Sequence, residues 1–297
     1  MEKINLAFLG TGNAIPTIKR NHTSILFSYK NENILIDCGE GTQRQFRHLQ
    51  ISPSKLTRIL ITHWHGDHIL GLPGLFQTLA MNNYQKTLQI YGPKGTKNKI
   101  EAIKNLVNVQ IKLQVHEVLG QFLNLPDFCI ESSPMSHGTP TNAYSIIIKE
   151  KRRLDKSKLK KLKIPNSPLL KNLQEGKSIV LNGKKISSSQ VSYLEKQKKI
   201  TFILDTALNP NALKIAKSSD LLITEASFSS EEESQAKEYK HLTAKQAATI
   251  AKKSKSKTLI LTHLSQRYEN APQVLEKEAK SIFKNTKLVK DFDQITL

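Results

Sequence analysis

The sequence is poor in cysteine, with only Cys38 and Cys129 in 297 residues. Two distant thiols do not make a disulfide framework, which points to a reducing, cytoplasmic setting. They also argue against the closed, cysteine-rich kind of structural zinc site. Long apolar runs are missing too. None approaches the ~20 residues that a membrane span needs, so no membrane partner is expected. The opening stretch MEKINLAFLGTG reads as a strand and lacks the longer apolar core and cleavage site of a secretory leader. Acids are the third shortage: 25 Asp and Glu against 45 Lys and Arg leave a net charge of +20. An excess of that size points to a polyanionic partner, nucleic acid before anionic membrane.

What is present alternates between strand and helix patterns. Residues 4–9, 23–29 and 33–37 read as strands, followed by a polar helix ending near residue 49. Further strands are expected at 58–62, 87–91, 111–118, 128–133, 143–149, 200–204, 220–224 and 257–261. Helices are expected at 71–82, 95–107, 209–218, 243–254 and 271–284, with 229–238 as a polar acidic loop. The alternation argues a layered α/β fold. Gly10-Thr11-Gly12 is a loop rather than a dinucleotide fingerprint, because it lacks a third Gly at the right spacing and Pro16 falls where the helix should run.

The chemistry concentrates in ILITHWHGDHILGLPG, residues 59–74. A buried strand pattern there ends in His63, His65, Asp67 and His68 within six residues. Residues two apart on extended backbone point to one side, so His63 and His65 can converge on one ion. Asp67 and His68 lie past the turn and can face a second. Imidazoles with a carboxylate suit zinc and similar divalent ions. Other strand ends carry His137, Asp205 and His263, and strand C-terminal ends gather at one edge of an α/β sheet. The expected partition is His63, His65 and His137 on one ion, Asp67, His68 and His263 on the other, and Asp205 between them. A pair of ions so held, each with an open position, suits hydrolysis at phosphorus or an acyl carbon. Trp64, inside the motif, is expected to pack, with its indole N–H needing a partner.

The string THWHGDH resembles the HxHxDH signature of the metallo-β-lactamase superfamily, and the likeness implies its four-layer αβ/βα sandwich. Phe8-Leu9-Gly10-Thr11-Gly12 with Pro16 and Arg20-Asn21 resembles the ribonuclease Z branch, the tRNA 3′-processing endonucleases. So do Ile36-Asp37-Cys38-Gly39-Glu40-Gly41-Thr42-Gln43, Glu225-Ala226-Ser227-Phe228, His241-Leu242-Thr243-Ala244 and Thr262-His263-Leu264-Ser265-Gln266-Arg267-Tyr268. The resemblance implies Asp67 as acceptor of the attacking water's proton as well as a ligand. It implies His241 as proton donor to the leaving 3′-oxygen, supported by Glu225. It implies substrate contacts at Lys19, Arg20, Asn21, Thr243, Ser265 and Arg267. It further implies two Zn2+ per subunit (Mn2+ or another divalent ion being the alternative), a homodimer, and precursor tRNA as partner. The reaction implied is removal of the 3′ trailer, leaving a 3′-hydroxyl on tRNA and a 5′-phosphate on the trailer. Three positions depart from the family pattern: Ile18 stands at a Lys place, Leu204 where a Gly commonly precedes the bridging Asp, and Ser167-Pro168 where the arm often has Gly-Pro.

One stretch breaks the α/β rhythm. Lys149 to Lys163 holds nine Lys or Arg against Glu150 and Asp155, and residues 169–199 stay basic and polar. Residues 150–195 therefore read as a protruding basic arm inserted in a single domain spanning 1–297. Such an arm could clamp folded RNA through its phosphates, far from the cut. Two other functions fit parts of the sequence. A small-molecule phosphodiesterase or esterase of the same fold does not require the arm. A non-catalytic nucleic-acid binder would have a closed metal site, and this one is open.

Overall fold

A computed structural model describes residues 2–297. The chain divides into two compact units, the first formed by Met1–Leu123, Ile130–Ile146 and Ile200–Leu297 and the second by Asn124–Cys129 and Ile147–Lys199.

Two seven-stranded sheets build the fold. The first runs in the order Gln294–Thr296, Ile4–Gly10, Ser24–Tyr29, Glu32–Ile36, Arg58–Leu60, Leu88–Gly92, Leu113–Glu117. Its last four strands are parallel to one another. The second sheet runs Thr286–Leu288, Leu259–Thr262, Leu221–Glu225, Lys198–Ile203, Thr141–Ile148, Phe128–Met135, Gly120–Asn124, and its first four strands are parallel.

Both faces of each sheet are covered. On the Ile4–Gly10 strand, Ala7 and Leu9 join Phe46, Leu75, Phe76 and Ile100 of the helices Thr42–His48, Leu72–Met81 and Thr96–Val107. Leu6 and Phe8 alternate with them, point the opposite way, and are equally buried. Only the other sheet can cover that second face. Tyr144 of the second sheet accordingly donates its hydroxyl to the Ile61 carbonyl at 2.7 Å, and the Tyr91 and Phe122 rings lie 4.9 Å apart. The outer face of the second sheet packs against Pro210–Ala216, Ala244–Lys253 and Gln273–Ile282 through Ala212, Ala247, Ala251, Leu275 and Ala279. Helix, sheet, sheet and helix make the four layers of a metallo-β-lactamase sandwich.

Three elements differ from the sequence expectation. The 58–62 strand is ladder-paired only as Arg58–Leu60, because the Thr62 N–H turns to the Asp37 carboxylate at 2.7 Å. Gly120–Asn124 is an additional strand. The 229–238 loop is largely helical, a 3-10 turn at Ser230–Glu232 leading into a helix at Glu233–Glu238. A run of glutamates favours a first helical turn, where the helix dipole welcomes acids, but with Ala236 its only buried residue it carries no apolar stripe to read.

The second unit has its own folded core. Leu173, Ile179, Ile186 and Val191 cluster with Ile164, while the strands Lys151–Leu154 and Ser192–Glu195 pair antiparallel. Asp155 caps the helix Lys156–Lys161 by accepting from the Ser157 and Lys158 N–H groups.

Candidate metal centre

The ionisable residues lie at or just past the C-terminal ends of strands, where open α/β sheets build their sites. Arg58–Leu60 leads to His63, His65, Asp67 and His68; Phe128–Met135 to His137; Lys198–Ile203 to Asp205; Leu259–Thr262 to His263; and Glu225 closes Leu221–Glu225. The approach of the His63–His68 loop to the turn after Glu32–Ile36 depends on glycine. A Cβ on Gly71 would stand 2.0 Å from the Gly39 carbonyl oxygen, and one on Gly39 would stand 2.5 Å from that of Asp67.

The seven residues fall into two groups of converging donor atoms, His63, His65, His137 and Asp205 in one, Asp67, His68, Asp205 and His263 in the other. Asp205 divides its carboxylate between them. Its Oδ1 lies 3.3 Å from His68 Nε2 and 3.1 Å from His263 Nε2, and its Oδ2 lies 3.6 Å from His63 Nε2 and 3.8 Å from His137 Nε2. Within the first group His65 Nδ1 and His137 Nε2 are 3.1 Å apart. In the second, Asp67 Oδ2 is 3.3 Å from His68 Nε2 and 3.4 Å from His263 Nε2.

A divalent cation fits this donor set. His63 Nε2 and Asp205 Oδ1 are buried without a hydrogen-bond partner, a state that costs free energy unless another group completes them. The far ring nitrogens are already engaged, which fixes which nitrogen faces inward. His137 Nδ1 donates to the Lys240 carbonyl at 3.1 Å, and His68 Nδ1 to Asp37 Oδ2 at 2.7 Å. The Ser227 hydroxyl lies 3.0 Å from His263 Nδ1 and 2.7 Å from Glu225 Oε2. The protonation pattern suits the same purpose. Burial, reinforced by the His68 charge, pushes the His63 imidazole well below its ordinary value, leaving a neutral ring. Burial would raise the Asp67 and Asp205 carboxyls, but the adjacent imidazoles hold both well below the carboxylate range. His68 is also disfavoured as a cation by burial, yet Asp205, Asp37 and Asp67 drive it well above its ordinary value. A bound cation would displace that proton.

Beside the second group, His241 Nδ1 donates to Glu225 Oε2 at 2.9 Å. Glu225 is buried and also accepts the Thr206 N–H at 2.7 Å. Burial lowers the His241 value, but Glu225 and Asp205 outweigh it and raise the ring to about 9. A cavity of about 460 Å³ opens over the site, lined by His65, Asp67, His137, Asp205, His241 and His263 and walled by Phe228, Tyr239, Ser265 and Arg267.

The substrate contacts expected from the family separate into two kinds. Ser265 and Arg267 line the cavity, and Lys19 is exposed, its backbone N–H on Glu269. Arg20 and Thr243 serve the fold instead. Arg20 is only 7% exposed and gives Nη1 to Thr11 Oγ1 and the Val289 carbonyl. Thr243 is buried and caps Ala244–Lys253 in a reciprocal capping box with Gln246. Asn21 bonds the Glu40 carbonyl through Nδ2 and Asp291 through its N–H. Trp64 packs at the core edge and donates Nε1 to Thr96 Oγ1 at 2.9 Å.

Two site residues escaped the sequence reading. Asp37, expected only as the last residue of the 33–37 strand, is fully buried and accepts from Thr62 N, Thr62 Oγ1 and His68 Nδ1 at 2.6 to 2.7 Å. It ends a strand as Asp205 does, and that signal would have found it. Ser227, tying His263 to Glu225, carries no such signal.

Fold and donor set together define a metallo-β-lactamase-fold hydrolase. The family model described as "Anti-Pycsar protein Apyc1" matches residues 4–153. Ribonuclease Z of Nanoarchaeum equitans is 38% identical over 265 residues, covering 89% of this chain and 84% of its own. Ribonuclease Z of Bacillus velezensis is 36% identical over 306 aligned residues, covering 99% of both chains. The crystal structure of human tRNase Z, short form, superimposes with a TM-score of 0.71 at 26% identity, covering 98% of each chain. The chain belongs to the ribonuclease Z family, hydrolytic endonucleases acting on phosphodiesters.

Proposed function

We propose that the protein is a zinc-dependent endoribonuclease that removes the 3′ trailer of precursor tRNA, leaving a 3′-hydroxyl on the tRNA and a 5′-phosphate on the trailer. The observation that carries this reading is the division of Asp205 between two His-rich donor groups beside a His241–Glu225 pair. His63, His65, His137 and Asp205 Oδ2 would hold one zinc ion, and Asp67, His68, His263 and Asp205 Oδ1 the other. When bound, such a pair supplies a nucleophile at neutral pH and neutralises charge building on the phosphate.

The chain's own residues do the rest. His241, with Nδ1 fixed on Glu225, keeps Nε2 for the cavity and gives its proton to the leaving 3′-oxygen. Glu225, itself pinned by Thr206 and Ser227, holds the ring in that tautomer. Asp67 is held as a carboxylate by His68 and His263, so it is a weak base and orients the attacking water more than it removes the proton.

The basic unit supports an RNA substrate over a small diester. Lys and Arg neutralise phosphates and release counterions, and residues 149–163 alone hold nine cations against two acids. On this reading residues 150–195 are the substrate-binding arm of a single catalytic domain, and the enzyme works as a cytoplasmic homodimer. Among the described residues no helix is long and apolar enough to cross a membrane. The test is incubation with a precursor tRNA, with and without chelator, and mapping of both product ends. Cleavage that survives complete metal removal, or a trailer lacking a 5′-phosphate, refutes it.

A further inference from the structure

The wall of the cavity beside His241 is aromatic, and the hydrolytic step leaves it unused. Tyr239 lines the cavity with 56% of its surface exposed. The ring is nevertheless backed by another. Its plane lies within 7° of the Phe228 ring, with centroids 6.3 Å apart. Phe228 is itself buried and lies 6.0 Å from the His241 ring. The Arg267 guanidinium sits 5.5 Å over Phe228, and its Nη1 is taken up by Glu232 and Gln235. That nitrogen is therefore engaged within the protein. The wall presents a braced π-face rather than a phosphate clamp.

A flat, neutral, exposed face suits a nucleobase. Bases splayed from single-stranded RNA stack on aromatic side chains, and such stacking tolerates any base because each has a π-face. The position in the wall selects which base. His241 protonates the leaving 3′-oxygen, and Phe228 bridges from His241 to Tyr239. The nucleoside nearest Tyr239 is then the one that carries the leaving oxygen.

We infer that Tyr239, braced by Phe228, is the stacking platform for the base of the nucleotide immediately 5′ to the cut, and so helps to choose the cleavage position. This rests on the reading of the protein as a precursor-tRNA endonuclease. It adds a specificity-determining residue to that reaction and leaves the chemistry unchanged.

The test is a cycle of two changes, read as kcat and KM with metal-loaded protein. One arm replaces Tyr239 by Ala, Leu or Phe. The other replaces the nucleotide 5′ to the cut in a precursor tRNA by an abasic residue. Tyr239→Ala should lower kcat/KM on the intact substrate about 5- to 160-fold, the range for loss of one base stack. Removing the base should cost wild type a similar factor and cost Tyr239→Ala little more. Tyr239→Phe should restore the dependence on the base, and Tyr239→Leu should not. Mapped ends should also spread to neighbouring phosphates in Tyr239→Ala. Equal base dependence in wild type and Tyr239→Ala overturns the inference, as does an unchanged kcat/KM. A Phe variant as impaired as Ala would assign the hydroxyl, not the ring, and overturns it too. Wild-type protein that does not cut precursor tRNA overturns the function reading itself, a result separate from any of the variants.

Discussion

Replacement of Asp37 by Asn removes one charge and almost no volume from a fully buried position. The wild-type carboxylate accepts three hydrogen bonds, from Thr62 N, Thr62 Oγ1 and His68 Nδ1. An amide can accept on only one side. If its NH2 takes the Oδ1 place it meets the Thr62 N–H, and a buried donor is left unpaired at a cost of about 1–3 kcal/mol. If it takes the Oδ2 place it meets His68 Nδ1–H. The ring then moves its proton to Nε2, the atom that faces Asp67, Asp205 and His263. The second orientation loses the preset ligand tautomer, and the first keeps it on a neutral acceptor that favours it less than the carboxylate does. Loss of such an outer partner lowers metal affinity about 10- to 100-fold, which corresponds to about 1.4–2.7 kcal/mol. Competition of the apoprotein against a chromophoric chelator should show one of two zinc sites weakened by that factor. The other, built on His63, His65 and His137, should weaken less. Two sites of unchanged affinity would refute the reasoning, because His68 would then not depend on its buried partner.

His241→Ala should reduce kcat about 10²- to 10⁴-fold, as expected for a lost general acid, while zinc content by atomic absorption stays at the wild-type value. Loss of metal along with activity would reassign the residue. The His241 ring, raised to about 9 in the free protein, is protonated at neutral pH and loses its proton as pH rises through that value. Bound cations disfavour the imidazolium and pull the value down, so kcat should fall along an alkaline limb that begins below pH 9 and is absent in His241→Ala. Substituting Lys156, Lys160 and Lys161 together by Gln should weaken precursor-tRNA binding and shallow the slope of log K against log salt by about 0.9 for each phosphate no longer neutralised; an unchanged slope would clear these lysines of any role. Gly71→Ala should cost at least about 1–3 kcal/mol of overpacking, read as a lower melting temperature, because its methyl would meet the Gly39 carbonyl at 2.0 Å.

The metal centre was legible because its signal is short-range. Four donors fall within six residues, and the other three each stand just past a strand, a position that topology converts into proximity. Glu225, which also closes a strand, was reached through the family resemblance. Strand-end logic was not carried to Asp37, which stands just past a strand as Asp205 does, and could not reach Ser227, a hydroxyl of no distinctive spacing. Arg20 illustrates the converse. The family resemblance made it a substrate contact, but with Thr11, Val289 and Asp291 drawn around it the guanidinium is a strut. The second unit was read as charge alone. Its core residues Leu173, Ile179, Ile186 and Val191 are spaced irregularly among lysines, and neither a period of two nor one of 3.6 runs through them. Their packing could be found only in three dimensions.

The cradle draws donors from segments strung along most of the polypeptide, with His263 among the last to be made. A nascent chain still without the Leu259–Thr262 strand holds all four donors of one group and only three of the four of the other. The second donor group is therefore completed only when the second sheet takes in the strand before His263.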